Sequence, residues 1–212
     1  MMKPFFAAAA LAAATFAAPA NAVLISLDSS FGPNTITLDT NTGLRWLDLT
    51  ASLGESFDDV TAELGAGGDF QGFRYALAAE VETLYTNAGI PMINGGSVQE
   101  NVPAVTDLIG LLGMTDLADL NGSFGTRGLI GEAGVAANSQ LTARLRVRLD
   151  VLEAPPPPPR AAANVPAAEV DRSSPDREIG SFLVQTPEPS ALVGIVSGIA
   201  ALGLVMRRRA AS

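Results

Sequence analysis

The chain is apolar at both ends, and this confines whatever folds to the stretch between them. Residues 1–22 carry Lys3, an apolar run over 5–18, Pro19 and then Ala20-Asn21-Ala22. A positive start, a short apolar middle and a small-x-small site are the parts of a secretory signal. Cleavage after Ala22, with Ala20 and Ala22 as the recognised small residues, and the Sec export machinery as a partner are therefore expected. At the other end Pro187-Glu188-Pro189 and Ser190 precede an apolar run over 191–206, closed by Arg207, Arg208 and Arg209. A helix over 190–206 spans roughly 25 Å, the short end of what crosses a bilayer core, and its three arginines are predicted to stay on the cytoplasmic side.

Charge and composition narrow the chemistry of the intervening body. The whole chain has a formal net charge of −9, and the segment 23–186 holds nine arginines against twenty-one carboxylates, about −12. Such a balance argues against nucleic acid and anionic membrane surfaces as partners. The chain has no cysteine and no histidine, and its one lysine, Lys3, lies in the signal segment. Disulfides, thiolate or imidazole metal sites, Ser-His-Asp triads, cysteine nucleophiles and lysine Schiff bases are thereby excluded. Carboxylate, hydroxyl and arginine chemistry remains.

The local patterns predict an α+β body, a small mixed antiparallel sheet with two or three helices. Residues 36–48 read as a hairpin whose turn is Thr40-Asn41-Thr42-Gly43 and whose second arm carries Trp46, the single tryptophan and a predicted core anchor. Ser56 with Asp59 three residues on opens a short helix bearing Phe57, Val60 and Leu64 on one face, and Gly65 closes it. Gly72 leads into a short strand at Phe73-Arg74-Tyr75, followed by a helix over 78–86. A third helix starts either at the capping box Ser97-Val98-Gln99-Glu100 or at Asn101 ahead of Pro103, and carries Val105, Leu108, Ile109 and Leu112.

A strand is predicted over 127–131, and residues 141–150 alternate strictly, with Arg144, Arg146 and Arg148 along the polar face. Two readings of these arginines stay open: a cationic stripe for an acidic glycan or partner, or the solvent face of a half-buried strand balanced by nearby acids. Pro155 begins a polyproline run, and 153–178 as a whole is predicted to be a disordered Pro/Ala-rich insertion. Residues 179–186 return to strand composition and are expected to close the globular domain begun over 23–152.

Two resemblances attach to these motifs. Pro187-Glu188-Pro189, the apolar segment 190–206 and the terminal arginines together resemble the PEP-CTERM sorting signal, here 187–209. That likeness implies recognition and cleavage by an exosortase-type membrane protease, so the protein is expected as an inner-membrane-anchored precursor of a Gram-negative cell, then in the envelope, at the surface or in the extracellular matrix. In the body, Thr42-Gly43-Leu44-Arg45-Trp46 followed by Gly72-Phe73-Arg74-Tyr75 and Glu80-Val81 resembles Lcl C-terminal-like domains. These are related to the C-type lectin-like fold, whose two chain ends pair as neighbouring strands. The resemblance implies folding roles for Trp46, Arg74 and Glu80, with Arg74 and Glu80 paired between strand and helix. Phe73 stands where that pattern has tryptophan, and Leu77 where it has a helix-capping threonine. The calcium-binding Glu-Pro-Asn and Gln-Pro-Asp motifs of sugar-binding lectins are not in the sequence.

The resulting expectation is a non-enzymatic exported protein, structural or matrix-associated in exopolysaccharide or biofilm, with no cofactor, no metal and extracellular polysaccharide as a candidate partner. A glycan- or protein-binding module on a lectin-like scaffold is the alternative. A carboxylate hydrolase built on Asp58 with Asp59 or Asp116 with Asp119 is the third, since paired carboxylates are what glycoside hydrolysis and calcium binding require.

Overall fold

The computed structural model describes residues 23–117 and 119–186. The signal segment 1–22, with Ala20 and Ala22, and the sorting segment 187–209, with its predicted membrane helix, lie outside the described residues. Among those described, no helix is long and apolar enough to cross a membrane.

The body is an α+β fold of two sheets and three helices. Strands β1 (Leu24–Ser29), β2 (Gly32–Asp39) and β3 (Arg45–Leu47) form an antiparallel meander. Helix α1 (Phe57–Glu63), strand β4 (Phe73–Tyr75), and helices α2 (Ala78–Asn87) and α3 (Val102–Leu112) follow. Strands β5 (Phe124–Ala133), β6 (Ser139–Arg148) and β7 (Arg160–Asp171) make a second meander, and β8 (Gly180–Ser181) and β9 (Leu183–Gln185) end the described chain. The first sheet has the order β1-β2-β3-β9-β4 and the second β7-β6-β5-β8.

The chain's last strand is thus an interior one. Val184 of β9 pairs with Trp46 on one side and with Arg74 on the other. The N-terminal meander meets the closing strand through β3, whereas β1, the first strand, sits at the sheet edge. The first and last strands therefore share a sheet without being neighbours.

Alternation divides the core into two layers. Trp46 and Val184 face a layer with Leu84 and Tyr85 of α2, Leu108, Ile109 and Leu112 of α3, and Leu145 and Val147 of β6. Leu47, Leu183 and Tyr75 face the opposite way, onto Val60 of α1, Phe70 and Ile179. Both faces of the short strands are buried, so they carry continuous apolar pairs in place of apolar-polar alternation.

Helix starts follow their caps. At α1 the Ser56 hydroxyl accepts from the Asp59 N–H at 3.1 Å, and the Asp59 carboxylate accepts from the Ser56 N–H at 3.2 Å. Of the two starts predicted for α3, the later one is adopted, with Asn101 as N-cap. Its side chain ties the preceding loop, accepting from Met92 N–H at 3.0 Å and donating to the Met92 carbonyl at 2.7 Å. Val98, inside the alternative start, instead bridges Ala161 as extended chain.

The principal correction concerns 153–178. That segment was expected to be a disordered insertion, and Arg160–Asp171 of it is a twelve-residue strand paired antiparallel along β6. Ala161, Ala163 and Val165 face inward on a period of two and are buried against α2 and α3, where their small size lets the helices come close. Pro166 is tolerated because the pairing jumps from Arg144↔Asn164 to Thr142↔Ala168, leaving it in a bulge of a strand at the sheet edge. That edge is itself covered: Asn94 N–H donates to the Ala163 carbonyl and Val98 N–H to the Ala161 carbonyl.

Candidate functional site: an arginine-lined sheet face

The strict alternation of β6 sends Leu145 and Val147 into the core and Arg144, Arg146 and Arg148 to the other face of the second sheet. Cross-strand register adds two more arginines. Arg127 of β5 stands opposite Arg144, and Arg160 of β7 opposite Arg148, and directly opposed residues in an antiparallel pair point to the same face. Five of the nine arginines between residues 23 and 186 therefore share one sheet face in an acidic body.

Acids partly neutralise them. Arg144 pairs with Asp116, and Arg146 with Asp119 at 2.9 Å. Arg148 and Arg160 share the single carboxylate of Asp150, at 3.7 and 3.5 Å. Arg127 donates its Nε–H to the Thr142 hydroxyl, and burial together with the Arg144 charge pulls its guanidinium below the ordinary arginine range. Between β6 and β7 the face opens into a groove of about 370 Å³ lined by Ser97, Arg144, Arg146, Arg148, Ala162 and Asn164.

The other sequence-predicted residues have structural partners. Arg74 and Glu80 form a two-pronged ion pair with bonds of 2.7 and 2.6 Å, and the same Arg74 donates to the Tyr75 carbonyl. Leucine at the α2 N-cap has no side-chain acceptor, so two carboxylates serve the helix start: Glu132 accepts from the Ala78 N–H at 2.7 Å and Glu80 from the Leu77 N–H at 2.9 Å. The arginine bonds, with help from that backbone donor, hold the Glu80 carboxyl below the usual glutamate value. Trp46 is buried at the junction of β2, β3 and β9, edge-on to Phe182.

Both acidic pairs have partners elsewhere in the fold. Asp58 is bonded to Arg172, whose guanidinium also stacks over Phe57, while Asp59 is consumed in the α1 cap. Asp116 and Asp119 are bonded to different arginines. Among the described residues no group of three or more acids gathers to hold a metal ion.

Sequence patterning found three of the five face arginines. Arg127 was assigned to a strand without a face, and Arg160 fell within the segment expected to be disordered. Only the register between strands brings them to the others. Set against known protein families, curated proteins and solved structures, the chain matches none of them.

Proposed function

We propose that this is an exported, non-catalytic protein of the cell envelope or extracellular matrix, anchored briefly by its C-terminal apolar segment and then sorted by an exosortase-type protease. The observation that carries the reading is the ordered set Pro187-Glu188-Pro189, apolar 190–206 and Arg207-Arg208-Arg209, beginning directly after Thr186. A structural body is supported by the engagement of both acidic pairs, Asp58 with Asp59 and Asp116 with Asp119, in caps and ion pairs. The relationship to the C-type lectin-like fold belongs to the same proposal. Its supports are the Thr-Gly-Leu-Arg-Trp hairpin, the Arg74 and Glu80 tie between β4 and α2, and the contact of the N-terminal meander with the closing strand.

Intact-mass measurement in the native host tests the sorting reading. Mature protein is expected to begin at Val23 and to lack Arg207, Arg208 and Arg209, while a host without its sorting protease retains them. Arginine-tailed mature protein in a host with a working protease would overturn the assignment.

A further inference from the structure

We infer that the arginine-lined face of the second sheet is a binding groove for an acidic polysaccharide, one bearing carboxylate or sulfate groups. The inference deepens the matrix reading above and rests on it for the partner's setting. The first observation is segregation of charge. The segment 23–186 is strongly acidic, yet Arg127, Arg144, Arg146, Arg148 and Arg160 gather on one face, where Asp116, Asp119 and Asp150 are the acids paired with them. Asp176 and Glu178 also act on Arg127, so the excess of positive charge lies with Arg144, Arg146, Arg148 and Arg160, four guanidiniums against the three carboxylates of Asp116, Asp119 and Asp150.

The second observation is unmet bonding capacity. Arg148 and Arg160, with side chains 51% and 47% exposed, contend for one Asp150 carboxylate, so each keeps donors directed at solvent. A planar guanidinium with free N–H groups matches an oxyanion through two parallel bonds, which a lone ammonium cannot do.

The third observation concerns the shape and lining of the groove. Successive arginines on one face of a strand recur about every 6.6 Å, a row of cations suited to a chain of repeating anions. The rest of the lining is Ser97, Ala162 and Asn164, small residues that leave room beside the guanidiniums. Protein partners are held mainly by apolar and aromatic anchors filling pockets, and this groove has no apolar residue larger than alanine in its lining. An extended polar polyanion fits it better than an acidic protein segment does.

The test titrates the full chain, in nonionic detergent, with polygalacturonate, dextran sulfate and neutral dextran, beside an Arg148→Gln/Arg160→Gln variant. Both substitutions lie at exposed positions, and near-UV circular dichroism of Trp46 verifies that the variant core is intact. One or both polyanions are expected to bind, the better one identifying the anionic group, while neutral dextran does not. With two counterions released, affinity should fall about tenfold between about 50 and about 200 mM salt, and by a similar factor in the double variant. Equal binding of neutral dextran, or unchanged affinity in the folded variant, would overturn the proposal. Poly-glutamate binding more tightly than either glycan would overturn it too, by assigning the face to an acidic protein. Should the variant fail to fold, the salt dependence and the comparison of polymers on the wild type still decide. These outcomes are independent of the C-terminal mass measurement, so failure here is distinguishable from failure of the sorting reading.

Discussion

Replacing Trp46 separates two contributions that the core makes at one side chain. The indole is 1% exposed and meets the Phe182 ring edge-on with centroids 6.3 Å apart; Phe182 in turn meets Tyr85 at 6.4 Å. Truncating a large buried aromatic to alanine costs about 3–5 kcal/mol through lost burial and the cavity left behind. One term works in the opposite direction. The indole Nε1 is buried with no hydrogen-bond partner among the described residues, and an unsatisfied buried donor costs about 1–3 kcal/mol. Both variants remove it. Trp46→Ala should therefore lie at the low end of the range, about 3 kcal/mol. Trp46→Phe keeps an aromatic ring against Phe182 while shedding the orphaned donor, and should cost about 1 kcal/mol or less. With a urea slope of about 2 kcal/mol per molar, the midpoints should move by about 1.5 M and under about 0.5 M. Trp46 is the only tryptophan, so its fluorescence disappears with it and far-UV circular dichroism must follow the unfolding. An unchanged midpoint for Trp46→Ala would refute the core placement. A loss for Trp46→Phe well above about 1 kcal/mol would refute the argument from the orphaned N–H.

Two further perturbations test the remaining structural assignments. Glu80 titrates below the ordinary glutamate value because of its bonds from Arg74 and the Leu77 N–H, so the fold is stabilised wherever Glu80 is ionised. That contribution is complete above about pH 4.3, the unfolded value, and is lost as the pH falls through the lowered folded one. Glu80→Gln should thus cost about 1 kcal/mol at pH 7, discounted for partial exposure, and nothing at the acid end; a pH-independent difference would contradict the pairing. Deleting residues 155–176 removes all of β7, including buried Ala161, Ala163 and Val165, and truncating after Glu178 removes the interior strand β9. Both shortened proteins should lose cooperative unfolding by circular dichroism, and a folded product from either would show that its strand is dispensable.

Local patterns made much of the fold legible. The β6 alternation, the Ser56 cap and the hairpin around Trp46 all arise from interactions within a few residues, and such interactions leave periodicity or cap chemistry in the sequence. Strand β7 left a fainter trace. Its inward positions are Ala161, Ala163 and Val165, where alanine is required by the closeness of α2 and α3, and alanine is a weak strand signal. Its two prolines nearest the pairing, Pro159 just before it and Pro166 in the bulge, sit where no ladder donor is needed, although proline otherwise argues against a strand. The arginine face shows the same limit at the level of the site. Arg144, Arg146 and Arg148 are visible as a row because they lie on one strand. Arg127 and Arg160 join them through pairings across the sheet, and Asp116 and Asp119 reveal themselves as counter-charges only when their loop folds back beside the start of β5.

The position of β9 bears on the proposed sorting reading. The first sheet has a gap between β3 and β4 until residues 183–185 arrive, since Val184 supplies the pairing to both neighbours. Folding of the body must therefore wait for nearly the whole described chain, and the long sequence separation between Trp46 and Val184 makes that closure the entropically costly step. Thr186 then fastens the end, with its N–H and its hydroxyl both donating to the Gly72 carbonyl at 2.8 and 2.9 Å. A cut at or beyond Pro187 leaves every one of these bonds in place. A cut only a few residues earlier would withdraw an interior strand of the sheet and its Leu183 and Val184, which are wholly buried in the two core layers. The folded body would thus set a boundary for the proposed processing, because paired and buried backbone resists a protease that needs an extended, accessible substrate.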